Sequence, residues 1–486
     1  LGNENAYVMA DQLGFDYLCV DEAHNFTKVF DSVRSEDGKE ATSYEIYQKS
    51  SLRGVKMFFL ANYIQRMNNY RNICLLTATP FNNNPLEVFG LLSLTDYRGL
   101  RESGVENIQT FFDNFIDQTF ESVVKSDGKI DNRAVIKGWS NKVALQKLVF
   151  AYMNYKSGEG NVVRPEKFEL PLINEKLNDG TVIPLPLEKQ KRTFLDITER
   201  QKNNVREISK WLVDELASET RKGGEHLKSA NWSMSNTLSP DIYEVSLKTE
   251  GLKKEDRDIL VKDYIDGLDH VDFVENSPKL NYTMKCIESL INHHKKTNTN
   301  LSNVIIYSGR GVGFFPLIKE YLIDILDYKK EVQTPYGKFS EVEIISGGNG
   351  SVSDARKESC KEAFNDGYVK IIIGSQTIRE GIDLQKKTST LFNLWCEWNP
   401  TSYKQLVGRC YRFGNMYKNV RIVTPLAIGG SDAFVWQKLE EKTGRINDIF
   451  DLQNDDNILD VGVEDTSAIK WSLVDDIESL VKLIIK

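Results

Sequence analysis

Short apolar runs alternate with segments of helical spacing in two parts of the chain. In residues 1–96, strands are predicted at Tyr17–Val20 and Ile73–Thr77, with a helix between them at Ser51–Met67. Residues 277–450 repeat the pattern, with one predicted helix that carries Leu280, Met284, Ile287 and Ile291, another at Leu317–Leu326, and strands at Val304–Tyr307, Val342–Ile345, Val369–Ile373 and Leu391–Trp395. This alternation indicates an α/β fold with parallel sheets covered by helices on both sides.

The stretch between these parts, residues 97–276, has a mostly helical pattern and is charged and rich in Asn and Lys. Within it, the passage from Val163 to Pro186 is predicted to be extended, because proline and the residue before it are poor helix interiors. Residues 451–486 form an acidic tail that becomes amphipathic toward its end. The sequence therefore divides into an α/β region, a largely helical insertion, a second α/β region and a tail.

Composition limits the possible partners and sites. The 486 residues, 40% of them hydrophobic, can form two or three domains, each with its own core. A net charge of -8 gives no overall attraction to nucleic acid, so DNA contact needs a local basic patch. The six cysteines contain no CxxC pair, which favours a reduced, cytosol-like compartment, and the five histidines show no zinc-ligand spacing with cysteine. No apolar run approaches the about 20 residues of a membrane span, so a soluble protein is expected.

Two adjacent carboxylates follow the first predicted strand. Asp21-Glu22-Ala23-His24 comes directly after Tyr17–Val20, and the carboxyl ends of strands are where α/β sheets place ligand chemistry. In an ATPase, one acid at this place holds Mg²⁺ through water, and the other orients or deprotonates the attacking water. A solvated acidic strand end is the alternative interpretation of the same four residues.

The segment Thr77-Ala78-Thr79-Pro80 closes the second predicted strand with two hydroxyl side chains and a proline that ends it. These two motifs, in this order, resemble the core of superfamily 2 helicases, in which the second motif relays the nucleotide state between two lobes. The resemblance gives Thr77 and Thr79 this relay role, Asp21 the metal, Glu22 the water, and His24 a link between nucleotide and DNA. A strand end with turn residues is the alternative for both threonines.

The second α/β region carries further motifs in the order of the same family. They are Ser277-Pro278-Lys279-Leu280, Val304–Ser308, Gly374-Ser375, Glu380–Leu384, Trp398-Asn399-Pro400 and Gln405–Gly414. The Trp398 motif resembles the marker of Swi/Snf-like proteins, which implies tracking along duplex DNA rather than strand separation and assigns Trp398 to the DNA side. A buried tryptophan at a helix start is an alternative compatible with that role. The implied fold is two RecA-like lobes with parallel sheets, the incomplete first one at 1–96 and the second at 277–450, with a helical insertion and brace at 97–276 between them.

Two arginines are the candidates for stabilising a transition state. A helical spacing of three predicts Arg409 and Arg412 on one face, and planar guanidinium groups suit the charge of a transferring phosphoryl group. The resemblance makes Arg412 the arginine finger, places Arg409 beside it on the phosphates, and gives Gln405 a role in linking nucleotide to DNA. Structural arginines paired with acids are the alternative.

Two turns of the second region are candidates for contact with the nucleotide and DNA. The turn Glu380–Asp383 is expected to bring Gly381 and Asp383 close to the nucleotide, and Ser375 resembles the family's hydroxyl contact to a phosphate oxygen. The glycine-rich run that begins with Ser308 and Gly309 lies between a predicted strand and a helix, so its amides could hold a DNA phosphate. An ordinary connecting loop is an equal alternative.

The phosphate-binding loop of such motors, GxxxxGK[ST], does not occur in the 486 residues. A fragment whose loop lies upstream of Leu1 is the preferred interpretation, because the chain lacks an initial Met and soon enters a strand. The resemblance implies ATP and Mg²⁺ as cofactors, double-stranded DNA as partner, and a DNA-dependent ATPase that translocates. The alternatives are a catalytically inactive DNA-binding or packaged structural protein and a strand-separating helicase.

Two further patterns concern partners and origin. Basic clusters at Lys189–Arg192 and Arg221-Lys222 are interpreted as solvated helix faces, with phosphate contact as the second interpretation. Val420–Pro425 followed by Ser431–Gln437 resembles the end of large helicase-like proteins of phages and conjugative elements. This resemblance implies the host-cell cytoplasm or packaging in a phage particle, with further domains or partner proteins of the same element.

Overall fold

The structure of the chain is a computed structural model that describes residues 14–31, 49–77, 80, 86–124, 130–155, 164–170, 174–176, 182–184, 195–217, 225–347, 353–379, 382–427, 429–432, 435, 436 and 439. These residues form a first α/β region, a middle part and a second α/β region. Within them, none of the helices has the length and apolar character needed to cross a membrane.

The first region contains a small parallel sheet against which helices pack. Strands β1 (Leu18–Val20) and β2 (Ile73–Leu75) pair in parallel. The helices are α1 (Leu52–Met67), α2 (Leu86–Glu102), α3 (Ile108–Phe115) and α4 (Lys142–Tyr152), and a hairpin joins β3 (Ile116–Val124) to β4 (Ile130–Trp139). The two predicted strands and the predicted helix are confirmed. The hairpin departs from the largely helical prediction for this stretch, and its strands are rich in residues that favour β-structure.

Two glycines bring the helices of this region against the segment that follows β1. A Cβ atom on Gly90 in α2 would lie 1.9 Å from the carbonyl oxygen of Thr27, and one on Gly54 in α1 would lie 2.5 Å from that of Lys28. Only a residue without a side chain permits such an approach of two backbones. The segment that carries the two candidate carboxylates is thereby held between α1 and α2.

The middle part is extended first and helical afterwards, as predicted. Its strands are β5 (Glu166–Leu170), β6 (Asn174–Lys176) and β7 (Val182–Pro184), of which β6 and β7 pair antiparallel. Its helices are α5 (Glu199–Ala217), α6 (Glu225–Leu238), α7 (Pro240–Lys248), α8 (Lys254–Asp266) and α9 (His270–Glu275). The basic clusters at 189–192 and 221–222 and the tail at 451–486 lie outside the described residues.

The second region is built on a six-stranded parallel sheet. The helices of the region are α10 (Pro278–Thr297), α11 (Phe315–Asp324), α12 (Asp354–Asn365) and α13 (Pro400–Val407). Its strands are β8 (Asn303–Tyr307), β9 (Val332–Thr334), β10 (Gly337–Phe339), β11 (Val342–Ile345), β12 (Ile371–Gly374), β13 (Thr388–Asn393) and β14 (Asn419–Val423), of which β9 and β10 pair with each other outside the large sheet. The strand order is β11-β12-β8-β13-β14-β5. All five pairings in it are parallel, so the predicted α/β class with parallel sheets is confirmed.

Several contacts join the middle part to the second region, and two of them involve β5 and α6. Strand β5 pairs with β14 and forms an edge of the sheet. Helix α6 is joined by a buried ion pair: Lys279 of α10 lies 2.5 Å from Asp432, whose carboxylate also accepts a hydrogen bond from Thr237 of α6 at 2.8 Å. Because the side chains of Lys279 and Asp432 are 1% and 0% exposed, this pair is part of the core of the second region.

Candidate nucleotide and nucleic-acid site

The two candidate carboxylates of the first region lie at the carboxyl end of β1, where the sequence predicted them. Glu22 has a left-handed backbone with φ of 52°, and its amide donates to the Asp21 carboxylate at 2.9 Å. His24 Nδ1 lies 3.0 Å from the hydroxyl of Thr77 and 3.3 Å from a carboxylate oxygen of Glu22. The structure therefore places His24 between Glu22, which lies at ion-pair distance, and Thr77, to which His24 is hydrogen-bonded, across the ends of β1 and β2. Thr79 lies outside the described residues.

Asp21 fits the metal role that the resemblance assigns to it. Its side chain is exposed at the strand end, and no cluster of three or more His, Cys, Asp or Glu capable of holding a metal is found within the described ranges. Mg²⁺ in phosphoryl-transfer sites is held by one or two carboxylates together with waters and substrate phosphates. One exposed carboxylate is a donor set of that kind, whereas it would not suffice for a structural metal.

Asp383 is the point at which the two candidate arginines of the second region meet. Arg412 donates to an Asp383 carboxylate oxygen, and Arg409 Nη1 lies 3.8 Å from the same atom and donates to the carbonyl oxygen of Ile382 at 3.1 Å. The Arg409 side chain is 14% exposed and that of Arg412 is 50% exposed. The motif pair from the sequence is thus close in space, with the more accessible arginine held by a carboxylate.

The prediction that one helix face carries both arginines is wrong. Helix α13 ends at Val407, and Gly408 is its carboxyl-terminal cap. Beyond this point the backbone continues in turns, in which the Arg409 amide donates to Leu406 and the Arg412 amide donates to Cys410. The arginines converge through these turns and through Asp383, whereas Gln405 lies half-buried within the helix. Gly381 lies outside the described residues.

The Trp398 motif begins helix α13. The Asn399 side chain accepts a hydrogen bond from the Thr401 amide at 2.8 Å, and Pro400 occupies the first turn. Asparagine at the cap and proline just after it are both favoured at a helix start. Trp398 is partly buried against the core of the second region, directly before the start of α13, which agrees with the interpretation as a buried tryptophan at a helix start. Contact between Trp398 and DNA stays a prediction.

Packing accounts for the glycines of the loop after β8. A Cβ atom on Gly309 would lie 2.9 Å from Cδ1 of Trp395, and one on Gly311 would lie 2.6 Å from Cδ1 of Ile242. The Ser308 hydroxyl is buried and donates to the carbonyl oxygen of Arg310 at 2.8 Å. Ser375 is buried as well. Neither the Ser308 nor the Ser375 hydroxyl is presented on the surface. DNA contact by Ser308, Gly309 and Ser375 therefore stays a prediction.

A charged network that the sequence interpretation missed joins three loops at one edge of the sheet. Glu397 accepts a hydrogen bond from the Tyr307 hydroxyl and lies 3.0 Å from Nη1 of Arg379. Burial and the Glu397 carboxylate together raise the pKa of Tyr307, so the phenol stays protonated and donates. The only signal in the sequence was a pair of charged residues beside the Glu380 and Trp398 motifs.

These loops share an edge because of strand register. Gly374 at the end of β12 and Asn393 at the end of β13 both lie opposite Tyr307 at the end of β8. The carboxyl ends of neighbouring parallel strands form the crevice in which α/β sheets bind ligands. The network therefore fixes the relative positions of the segments that carry the second-region motifs.

Comparison with known proteins matches part of the second region to a helicase domain. Residues 320–414 match the model of the helicase conserved C-terminal domain. Over 184 residues, 37% of this chain, the sequence is 25% identical to Defense against restriction protein B of Escherichia phage P1. The matched part spans 8% of the length of that relative.

Two solved structures are similar to the chain at low identity. The C-terminal part of the Fun30 ATPase domain is 16% identical, with a TM-score of 0.39, over 59% of this chain and 96% of its own. The SWI2/SNF2 ATPase core of Sulfolobus solfataricus in complex with dsDNA is 15% identical, with a TM-score of 0.36, over 96% of this chain and 72% of its own. Both likenesses are weak and carry no argument about this chain. The helicase part of the resemblance is supported by the domain match at residues 320–414, within which Asp383, Arg409 and Arg412 lie, and the Swi/Snf-like type stays a prediction.

Proposed function

We propose that this chain forms part of an ATP-driven translocase of the Swi/Snf-like type that moves along double-stranded DNA. The observation that carries the proposal is the meeting of Asp383, Arg409 and Arg412 within the helicase C-terminal domain, at 320–414. In phosphoryl transfer, an arginine that reaches the transferring group stabilises its charge in the transition state. A half-exposed arginine held by a carboxylate is suited to this task, because it can exchange one anionic partner for another.

In the first region, the proposed roles follow the contacts that His24 makes with Glu22 and Thr77 after β1. Asp21 would hold Mg²⁺, which neutralises charge on the phosphate oxygens when it is bound. Glu22 would orient the attacking water and accept its proton. His24 connects Glu22 to Thr77 at the end of β2, so a displacement at the carboxylate reaches the neighbouring strand end directly.

In the second region, the two arginines would act differently. Arg412 is proposed to leave Asp383 and donate to the phosphoryl oxygens, as the arginine finger. Arg409 is more buried and is anchored on the carbonyl oxygen of Ile382, so it would position the phosphates with little movement. Gln405 and the turn that contains Gly381 would transmit the change toward the DNA side.

Contact with DNA is proposed for the loops that Glu397 joins. They contain Ser308, Gly309, Ser375 and Trp398, and a common network would make them move as a unit when the cleft between lobes opens and closes. The similarity to a phage protein supports an origin in a phage or other mobile element, and hence the host-cell cytoplasm or a phage particle as the location. Partner proteins of that element are part of the same proposal.

The experiment is steady-state ATP hydrolysis, with and without duplex DNA, by the natural polypeptide that contains these residues. Arg412→Gln is expected to lower kcat by about a thousandfold, as loss of an arginine finger does. Asp21→Asn should abolish the response to Mg²⁺, and Arg101→Gln, at an exposed position of α2, should behave as wild type. An Arg412→Gln protein that hydrolyses ATP at the wild-type rate would overturn the assignment, and strand displacement would favour a helicase over a translocase.

A second candidate function is duplex binding without turnover. It is favoured by the absence of GxxxxGK[ST] from the 486 residues, since that loop holds the phosphates in motors of this kind. In this case, salt-dependent DNA binding would be measurable while ATP hydrolysis would stay at background in both the wild type and Arg412→Gln.

A further inference from the structure

Helices α6, α7 and α8 and the loop after β8 line an open pocket of about 520 Å³. Its size lies within the range of about 300–1,000 Å³ that is usual for sites of small organic ligands. None of the residues proposed above for ATP, Mg²⁺ or DNA lines it. The pocket shares the loop after β8 with the proposed DNA contact at Ser308 and Gly309, but its lining needs its own explanation.

The charged side chains that line this pocket are both basic. Arg310 is exposed, and its guanidinium has no ion-pair partner among the residues that the structure describes. Lys228 lies over the rings of Trp211 and Trp232, at 4.9 and 4.7 Å from their centroids, and pairs with Glu250. Such stacking fixes the ammonium group in place. An anionic group on a ligand could therefore contact Lys228, which is held in place, and Arg310, which has no ion-pair partner among the described residues.

The remaining lining combines an apolar wall with polar side chains. Ile242, Val261 and Phe314 form the apolar side, while Asn231 and Ser235 of α6 offer both donors and acceptors. An asparagine amide can pair with the polar edge of a base, and an apolar wall suits its faces. The chemistry that matches both sides is an anion attached to a flat heterocycle with a polar edge.

The loop that carries Arg310 is held rigidly against the helices. Gly311 has φ of +70°, and a Cβ atom there would lie 2.6 Å from Cδ1 of Ile242. A Cβ atom on Gly313 would lie 3.2 Å from Cγ1 of Val261. The Arg310 carbonyl oxygen accepts from Ser308 at 2.8 Å. A preformed pocket of this kind binds without the cost of ordering its walls.

We propose that this pocket binds a nucleotide, with its phosphate at Arg310 and Lys228 and its base between Asn231 and the apolar wall. The proposal goes beyond the motor function and does not rest on it. Two sources present this chemistry, a free mononucleotide and the phosphorylated end of a DNA strand. Binding of the second kind would let the protein recognise a strand end beside the duplex contact proposed for Ser308 and Gly309.

The test is a titration of the full chain without Mg²⁺, followed by the fluorescence of Trp211 and Trp232 and by calorimetry. Three probes are used: dAMP, inorganic phosphate, and a duplex with a 5′-phosphorylated single-stranded overhang. Arg310→Gln should weaken dAMP binding by about tenfold or more, since hydrogen bonds to charged groups are being removed. Val261→Trp, which fills the pocket, should abolish it.

A matched control separates this site from others. Arg257→Gln, which changes an exposed arginine of the same helix as Val261, should bind dAMP as wild type does. Overhang binding that is lost in Arg310→Gln identifies the strand end as the source, and dAMP binding alone identifies a free nucleotide. No binding of dAMP, equal binding of dAMP and inorganic phosphate, or unchanged affinity in a folded Arg310→Gln protein would overturn the proposal.

Discussion

The two α/β regions of the chain hold their candidate residues in different ways. In the first, the described sheet has two strands, and Cys19 within it and Tyr17 and Leu76 beside it are exposed. In the second, β8 and β12 are buried along their whole length in a six-stranded sheet. Asp21 and Glu22 therefore depend on local contacts and on the approach of two helices, whereas the loops of the second site extend from a large buried sheet.

The largest effect is expected from the buried ion pair of the second region. Asp432→Ala leaves Lys279 as an uncompensated buried charge, which should lower the free energy of unfolding by about 3–5 kcal/mol. Urea denaturation followed by circular dichroism measures it. The double variant Lys279→Met with Asp432→Leu should recover most of the loss, because replacing both partners by apolar groups removes the desolvated charge. A loss of under about 1 kcal/mol, the range of surface ion pairs, would contradict the depth assigned to this core.

Glu397→Gln tests whether the charged network holds the three loops together. The change keeps the size of the side chain but removes the charge that faces Arg379 and Tyr307, at a cost of about 1.5–3 kcal/mol. Hydrogen exchange of the segments after β8, β12 and β13 should increase together. Exchange that rises only around residue 397 would mean that the loops are positioned independently.

In the first region, the corresponding test is Gly90→Ala. The added methyl group would meet the carbonyl oxygen of Thr27, and the required backbone shift should cost about 1–3 kcal/mol. The amides around His24 should exchange faster as a result. Gly267→Ala is the matched control, because its nearest neighbour would lie at an ordinary 3.6 Å. Equal stability of the two variants would show that α2 does not hold the motif segment.

The smallest effect concerns pH. Burial, with the positive charges of His293, Lys370 and Arg421, lowers the pKa of His294 below its usual 6.5. The unfolded chain then binds a proton that the folded chain resists, so stability should fall as pH drops from above 6.5 through the lowered pKa. His294→Gln should flatten the dependence of the unfolding free energy on pH between 7.5 and 5.5. A wild-type profile in this variant would assign the dependence to other groups.

Local patterns in the sequence predicted the strands and helices well. β11 has the predicted bounds, and β8 differs by one residue, because runs of buried apolar residues identify central strands directly. The motif order also predicted that Arg409 and Arg412 act together. The prediction that both lie on one helix face was wrong, because the spacing of the arginines does not show that α13 ends at Val407.

Contacts between residues far apart in the chain could not be predicted in this way. Lys279 and Asp432, or Arg379 and Glu397, are single charged residues whose partners are known only after the sheet has assembled. The pairing of β5 with β14 was equally unpredictable, because nothing in the sequence of residues 166–170 indicates which sheet edge this strand joins. The three glycines after β8 suggested a phosphate loop, although the packing of Trp395 and Ile242 accounts for two of them.

The most direct test of the central claim is phosphate release from ATP by the natural polypeptide that contains these residues, measured with and without duplex DNA. The account predicts that duplex DNA stimulates release and that Arg412→Gln abolishes the stimulated rate while duplex binding persists. The contradicting result is duplex binding without any phosphate release by a polypeptide whose sequence contains a GxxxxGK[ST] loop and whose intact mass shows that the loop is present.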